Sequence, residues 1–295
     1  MPIRTEVVMG TLVTIEVVHS NSDAIEIMDR AFGWFYEIEA RCTRFDPRSE
    51  LMQLTAQAGV PVPASAILYE AVQFAAMLAE ETGGAFDPTV GHRMEARGFN
   101  REHRTGEIVR SASTPADDVS YRDVHLDPDR RTIRLLRPLT LDLGAVAKGL
   151  AVDAAARELE PLQDFAIDAG GDLYLGGSNA QGSPWCVGIR HPRCENELID
   201  SLRVSNQAVC TSGDYERHNS AGHHILDGRS GETSQAVASA TVVASGAMLA
   251  DGLATAAFVL GPEAGIQLLK RLGVDGLIVT PDLARYETGG LCRGC

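Results

Sequence analysis

Phe165-Ala-Ile-Asp-Ala-Gly-Gly-Asp-Leu-Tyr-Leu-Gly176 holds two short β-like runs, 165–168 and 172–176, and three more follow at 185–190, 199–204 and 207–210. Strands that arrive in a group, rather than alternating with helices, favour an α+β fold with mostly antiparallel sheets over a doubly wound one. Outward from this block the pattern changes. Residues 5–18 alternate and are β-branched, which predicts a strand. Ile27, Ala31, Trp34 and Ile38 repeat at helical spacing within 23–42, with Ser22 as the expected N-cap. Ile67, Ala71, Phe74 and Leu78 do the same within 64–82, after Pro63 and before Gly83-Gly84. Residues 101–130 are polar, rich in Asp and Arg, and read as surface turns or a hairpin. Further strands are expected at 132–136, 139–143, 237–244 and 276–280, and helices at about 145–160, 246–260 and 262–272. No repeat, low-complexity run or Pro/Gly/Ser linker divides the chain.

The 295 residues are 44% hydrophobic and 22% charged, enough to bury a sizeable core. A net charge of −14 makes nucleic acid and anionic membrane surfaces poor partners. Any phosphate substrate would need a metal ion or a few well-placed cations. Only two of the 26 basic residues are lysines, Lys148 and Lys270. No apolar run reaches the ~20 residues of a membrane helix, so no membrane insertion is expected. The N-terminal stretch lacks the features of a signal peptide, and the cysteines, six in all, are scattered. The expected location is the reducing cytoplasm. Cys292-x-x-Cys295 sits on a Gly-rich tail, and 286–295 is expected to be flexible.

The glycines exclude two nucleotide motifs: GxGxxG and GxxxxGK are both absent, and HExxH is absent too. Four stretches remain. Leu141-Asp-Leu-Gly-Ala-Val-Ala-Lys-Gly149 is a strand-to-helix junction where helical N–H groups and Lys148 favour an anion, or else an ordinary turn with a solvated lysine. In Ala247-Met-Leu-Ala-Asp-Gly-Leu-Ala-Thr255, Asp251 and Thr255 share one face of an apolar helix. One hard cation would satisfy both oxygens; alternatively Asp251 faces solvent and Thr255 bonds to the preceding turn. His223-His-Ile-Leu-Asp-Gly-Arg-Ser-Gly231 could present a general base with an aspartate partner, or be a structural turn. Gly83-Gly-Ala-Phe-Asp-Pro-Thr-Val-Gly91 allows close backbone approach, with Asp87 held extended before Pro88.

In this order the stretches resemble the FAD:protein FMN transferase family, the ApbE type. The resemblance runs from about residue 5 to 280. It is carried by Met9-Gly10-Thr11, RFDPRSEL at 44–51, GGAFDPTVG at 83–91 and DLGAVAKGLAVD at 142–153. It continues through IDAGGDLYLGG at 167–177, TSGDYE at 211–216, HHILDGRSG at 223–231 and AMLADGLATA at 247–256.

The resemblance implies a single domain over 1–295, T-fold-related, with its active site in a cleft between two lobes. It implies Mg²⁺ as cofactor and FAD as substrate. The FMN half would pass to a Thr or Ser hydroxyl of an acceptor flavoprotein with an FMN-binding domain, through a phosphoester bond, releasing AMP. The implied metal ligands are Asp251, Thr255 and the carbonyl of Ala145. The implied FAD contacts are Met9 with Gly10 and Thr11, Phe45, Ala85, Phe86, Asp87, Asp142, Lys148 and Ile225. Catalysis would rest on Asp251 and on His224, which would help remove the acceptor proton. Two rivals use the same residues: an FAD pyrophosphate hydrolase giving FMN and AMP, and a non-catalytic flavin-binding protein. Two departures from the family pattern concern loops: Arg97 stands before Gly98-Phe99 where a Trp is usual, and Asp227-Gly228 stands for Asp-Pro.

Overall fold

The computed structural model describes residues 2–19, 22–111, 116, 118–216, 218–219 and 222–294. The chain divides into two compact units, one of Met1–Tyr36, Lys148–Glu216 and Gln235–Cys295, the other of Glu37–Ala147 and Arg217–Ser234.

The first unit is built on an eight-stranded sheet. Its strands are Ile3–Val8, Thr11–Val17, Phe165–Ala169, Asp172–Gly176, Gln207–Gly213, Ser239–Ala244, Asp275–Val279 and Arg285–Glu287. They are hydrogen-bonded in that order, and every neighbouring pair is antiparallel. The α+β expectation holds. One expected strand at 5–18 is two, because Met9 (φ 53°) and Gly10 (φ 74°) form a tight hairpin turn. The alternation keeps its phase through a two-residue turn, so the pattern hides it.

Helix Ala247–Leu260 packs on the strands Gln207–Gly213 and Ser239–Ala244, and helix Pro262–Leu272 packs on that helix and on Asp275–Val279. A two-stranded sheet of Trp185–Arg190 and Leu198–Val204 closes an apolar cluster that includes Leu175, Val187, Ile189, Leu202, Val209, Val243 and Leu277. Cys186, in this small sheet, is disulfide-bonded, which the scattered cysteine pattern did not suggest. Part of the segment expected to be flexible is tied to the unit. Arg285–Glu287 is an edge strand, the Arg203 N–H donates to the Cys292 carbonyl at 2.8 Å, and Arg293 pairs with Asp200 and Glu287. Cys295, and with it the terminal CxxC reading, lies outside the described residues.

Helix Ala24–Cys42 starts one residue after Asp23, to which the Ser22 hydroxyl donates, so Ser22 is not seen to cap it. Its buried stripe runs through Ile27, Ala31, Phe35 and Ile38. Trp34 is half-buried instead, its indole N–H donating to Glu158.

The second unit carries helices Glu50–Thr55, Ala66–Glu81 and Gly91–Ala96, a three-stranded sheet and the short pair His218–Asn219 and Gly222–His223. Ser49 and Ser65 cap the first two helices. In the sheet, Thr132–Leu135 lies between Val62–Pro63 and Val124–Asp127, the last pair forming a hairpin. The expected strand 139–143 is absent as a ladder: Thr140 makes one parallel bridge to Val90, and the Asp142 N–H donates to the Pro88 carbonyl. Its hydrogen bonds go to a loop, so it is extended without being a strand. The following helix starts at Ala147 rather than 145, leaving Ala145 in a turn.

Candidate active site

The expected site residues fall into groups within each unit. In the first unit, three of them sit on two adjoining helices. Lys148 is the second residue of the helix Ala147–Leu159, and Asp251 and Thr255 lie one turn apart on Ala247–Leu260. The helices meet at Gly149, where a Cβ would stand 2.4 Å from the Ala247 carbonyl oxygen, so only glycine fits. At this contact the Gly149 N–H donates to Asp251 Oδ2 at 3.3 Å. The Thr255 hydroxyl lies 2.9 Å from the Ser212 hydroxyl on the sheet beneath. Thus Asp251, 5% exposed in an apolar helix, faces inward. The solvent-facing alternative does not hold.

Lys148 forms an ion pair with Asp172, the first residue of its strand. Burial pulls the Lys148 ammonium down, but the carboxylates of Asp172 and Asp251 outweigh it and leave it raised, so the charge is kept. Asp172 follows the turn Gly170-Gly171, and the Thr11 side chain packs where a Cβ on Gly170 would stand. Met9-Gly10-Thr11 and Asp172 therefore belong to neighbouring hairpin ends of one sheet. Burial raises the Cys210 thiol well above its ordinary range, which leaves no thiolate nucleophile here.

In the second unit, Phe45, Asp142 and His224 are linked through two residues that the sequence reading did not single out. Arg44 donates from Nε to Asp142 Oδ2 and from Nη2 to the Phe99 carbonyl, and its guanidinium lies 4.3 Å over the Phe45 ring. Phe99 meets the His224 imidazole edge-on, ring centroids 6.3 Å apart. The other oxygen of Asp142 accepts the Gly144 N–H at 2.8 Å. Signals for Arg44 existed only in its place beside an aromatic residue.

The loop 84–87 is locked to the loop 227–228. The Gly228 N–H donates to the Ala85 carbonyl at 2.9 Å, and a Cβ on Gly228 would stand 2.4 Å from Asp87 Cβ. Asp87 is buried, which raises its carboxyl, and both its oxygens are engaged: Oδ1 by the Thr89 N–H and hydroxyl, Oδ2 by the Tyr121 N–H. Ala85 and Phe86 are buried with it. The Ile225 N–H donates to His223 Nδ1 at 3.2 Å, which makes Nε2 the donor to the Ser234 carbonyl at 2.8 Å. His223 is therefore a structural histidine. Asp227 pairs with Arg229, whose bonds outweigh burial and hold the carboxyl below its ordinary range. The histidine–aspartate pairing considered for this stretch is thus not what engages Asp227.

The donor chemistry can be tested for a divalent cation. Among the described residues no three His, Cys, Asp or Glu side chains gather as a metal cluster would. A hard cation does not need one. Mg²⁺ takes one or two carboxylates, keeps waters and shares substrate phosphates. A buried carboxylate one helical turn from a hydroxyl, with Lys148 paired nearby, fits that demand.

The ApbE family model matches residues 9–278. The FAD:protein FMN transferase of Treponema pallidum is 33% identical over 98% of this chain and 87% of its own. That of Haemophilus influenzae is 29% identical over 80% and 72%. Among solved structures, the ApbE protein of Thermotoga maritima superposes with a TM-score of 0.85 at 28% identity, covering 97% of this chain and 96% of that one. The flavin transferase ApbE of Vibrio cholerae gives 0.83 at 25% identity, covering 99% and 96%.

Proposed function

The chain belongs to the ApbE family, and from that premise we propose how its residues carry out flavin transfer. It is a flavin transferase that takes FAD and a protein acceptor. The acceptor group is a Thr or Ser hydroxyl of a flavoprotein with an FMN-binding domain. Its oxygen attacks the phosphorus of the FMN half, a phosphoester bond forms, the anhydride bond breaks, and AMP leaves with the electron pair. His224 takes the hydroxyl proton. The acceptor supplies the nucleophile, so the chain needs none of its own.

Asp251, Thr255 and the Ala145 carbonyl are the residues that would hold Mg²⁺. When bound, the ion neutralises pyrophosphate oxygens and stabilises the departing phosphate. Lys148, kept an ammonium by Asp172 and Asp251, adds a fixed charge for the same phosphates. Phe45 and Ile225 meet the isoalloxazine, and Asp142 a polar edge of FAD. Asp87 has both oxygens engaged, so its part is to shape the backbone of 85–87 for FAD. Met9-Gly10-Thr11 offers a hairpin turn for close approach. On this reading the whole chain, both units included, works as one domain.

The observation that carries the proposal is the inward-facing Asp251 with Thr255 one turn on and the Lys148–Asp172 pair beside it. Mass spectrometry of an FMN-binding acceptor domain, incubated with this protein, FAD and Mg²⁺, tests it. The expected product is a covalent FMN adduct with stoichiometric AMP, lost in Asp251→Ala. FMN and AMP without an adduct on any acceptor would point to hydrolysis. A cytoplasmic location is proposed with it; isolation from cells with Cys186 oxidised would place the chain in an oxidising compartment.

A further inference from the structure

Arg44 has no part in the chemistry above, yet it contacts two of the second unit's candidate residues, Asp142 and Phe45. Its side chain is 5% exposed, and its Nε donates to Asp142 Oδ2 at 2.5 Å. Nη2 donates to the Phe99 carbonyl, and Phe99 in turn meets His224 edge-on. The guanidinium face lies 4.3 Å over the Phe45 ring. A guanidinium can donate in its plane to two acceptors while its flat face stacks on an aromatic ring; an ammonium cannot do both.

We propose that Arg44 is a positioning residue for the flavin. It covers one face of Phe45 and fixes the ring plane, which leaves the opposite face for the isoalloxazine. The same side chain ties that ring to Asp142 and to the carbonyl of Phe99, so aromatic wall and polar contact are set together. This inference rests on the reading of Phe45 as a flavin contact.

The test compares Arg44→Met, Arg44→Lys, Phe45→Ala and the Arg44→Met/Phe45→Ala double variant in the full chain. The readouts are KM for FAD, kcat, the absorbance change of FAD on binding, and the melting temperature. Arg44→Met is expected to raise KM about tenfold with kcat changed far less, and to reduce the absorbance change. Arg44→Lys keeps the charge beside Asp142 but not the flat face, so its KM should still rise; it also serves if Arg44→Met does not fold. The double variant should lose less FAD affinity than the two single losses summed, because much of Arg44's effect passes through that ring. Unchanged KM and absorbance in folded Arg44→Lys would overturn the proposal. So would losses that add in the double variant, or a lower kcat and melting temperature at constant KM. If Phe45→Ala itself leaves FAD binding untouched, the flavin reading of Phe45 falls; if only the Arg44 variants do, that reading stands without the positioning role.

Discussion

The carboxylate of Asp153, on the helix Ala147–Leu159, caps the neighbouring helix Ala247–Leu260: Oδ1 accepts the Ala247 N–H at 2.6 Å and Oδ2 the Met248 N–H at 3.0 Å. The helix has Gly246 at its own N-cap and no side chain there to do this. A Cβ on Gly246 would stand 3.1 Å from Asp153 Oδ2, so the borrowed cap leaves little room for a native one. The pair sets the start of the helix that carries Asp251 and Thr255.

Asp153→Ala should therefore destabilise the protein by about 1–2 kcal/mol, the worth of a charged N-cap. Asp153→Asn, which keeps an acceptor oxygen, should lose less. Urea titration followed by circular dichroism measures both. Equal stability of Asp153→Ala and the parent would remove the cap from the account.

Asp251→Ala should abolish most transfer while the chain still binds FAD. A metal-held phosphate contact is worth several kcal/mol, so the fall should be roughly 10³-fold. Thr255→Ser should keep activity and Thr255→Val should lose part of it, because the hydroxyl is the shared feature. Chelation of the parent protein with EDTA should stop transfer, and added Mg²⁺ should restore it. Full activity after chelation would exclude the cation.

The adjacent histidines should separate cleanly. His223 has both ring nitrogens bonded to backbone groups, one from Ile225 and one at Ser234. His223→Ala should lower stability. His224→Ala should instead cut turnover about 10²–10⁴-fold at unchanged FAD affinity, the usual range for a lost general base. Measuring kcat, FAD binding and melting temperature for both variants decides it; a His224→Ala enzyme with normal turnover would leave the proton with another group.

How far the sequence reached depends on how local each signal was. The grouped short strands made the antiparallel sheet legible, since each strand declares itself within a few residues. The turn at Met9-Gly10 was hidden by an alternation that runs through it, and 139–143 looked like a strand because extended chain bonded to a loop has the same pattern. Asp251 was legible as a carboxylate in an apolar helix. Arg44 was not, because its partner Asp142 lies 98 residues away and an arginine has no unusual local pattern. Asp153 reads as an ordinary helical aspartate until the second helix is in place.

Acid should release the 227–231 turn. Arg229 and backbone N–H groups hold the Asp227 carboxyl below its ordinary value despite burial. A depressed carboxyl contributes stability that is present above its unfolded pKa, near 3.9. That stability is lost as pH falls through the lower folded value. Arg229 is more than half exposed, so screening limits the contribution to below about 1 kcal/mol. Hydrogen exchange of the turn, compared between pH 5 and pH 2.5, should show protection falling in the parent and both lower and less pH-dependent in Arg229→Met. Equal protection in both would mean that the pair does not hold the turn.

Gly228 offers the sharpest test of the second unit, because any side chain there is predicted to be harmful. Its N–H donates to the Ala85 carbonyl, and its Cα faces Asp87 so closely that a Cβ would stand 2.4 Å from Asp87 Cβ and 2.6 Å from the Gly84 carbonyl oxygen. Alanine adds that clash. Proline adds it and also removes the donor, leaving the Ala85 carbonyl without this bond. Both contacts are to backbone or to a Cβ, so no side-chain rotation relieves them. Gly228→Ala should cost about 1–3 kcal/mol through overpacking, and Gly228→Pro more. Because the displaced partner is the loop 85–87, KM for FAD should rise in both variants, further for proline. A Gly228→Pro chain as stable as the parent, with the same KM, would show that the two loops are not locked together.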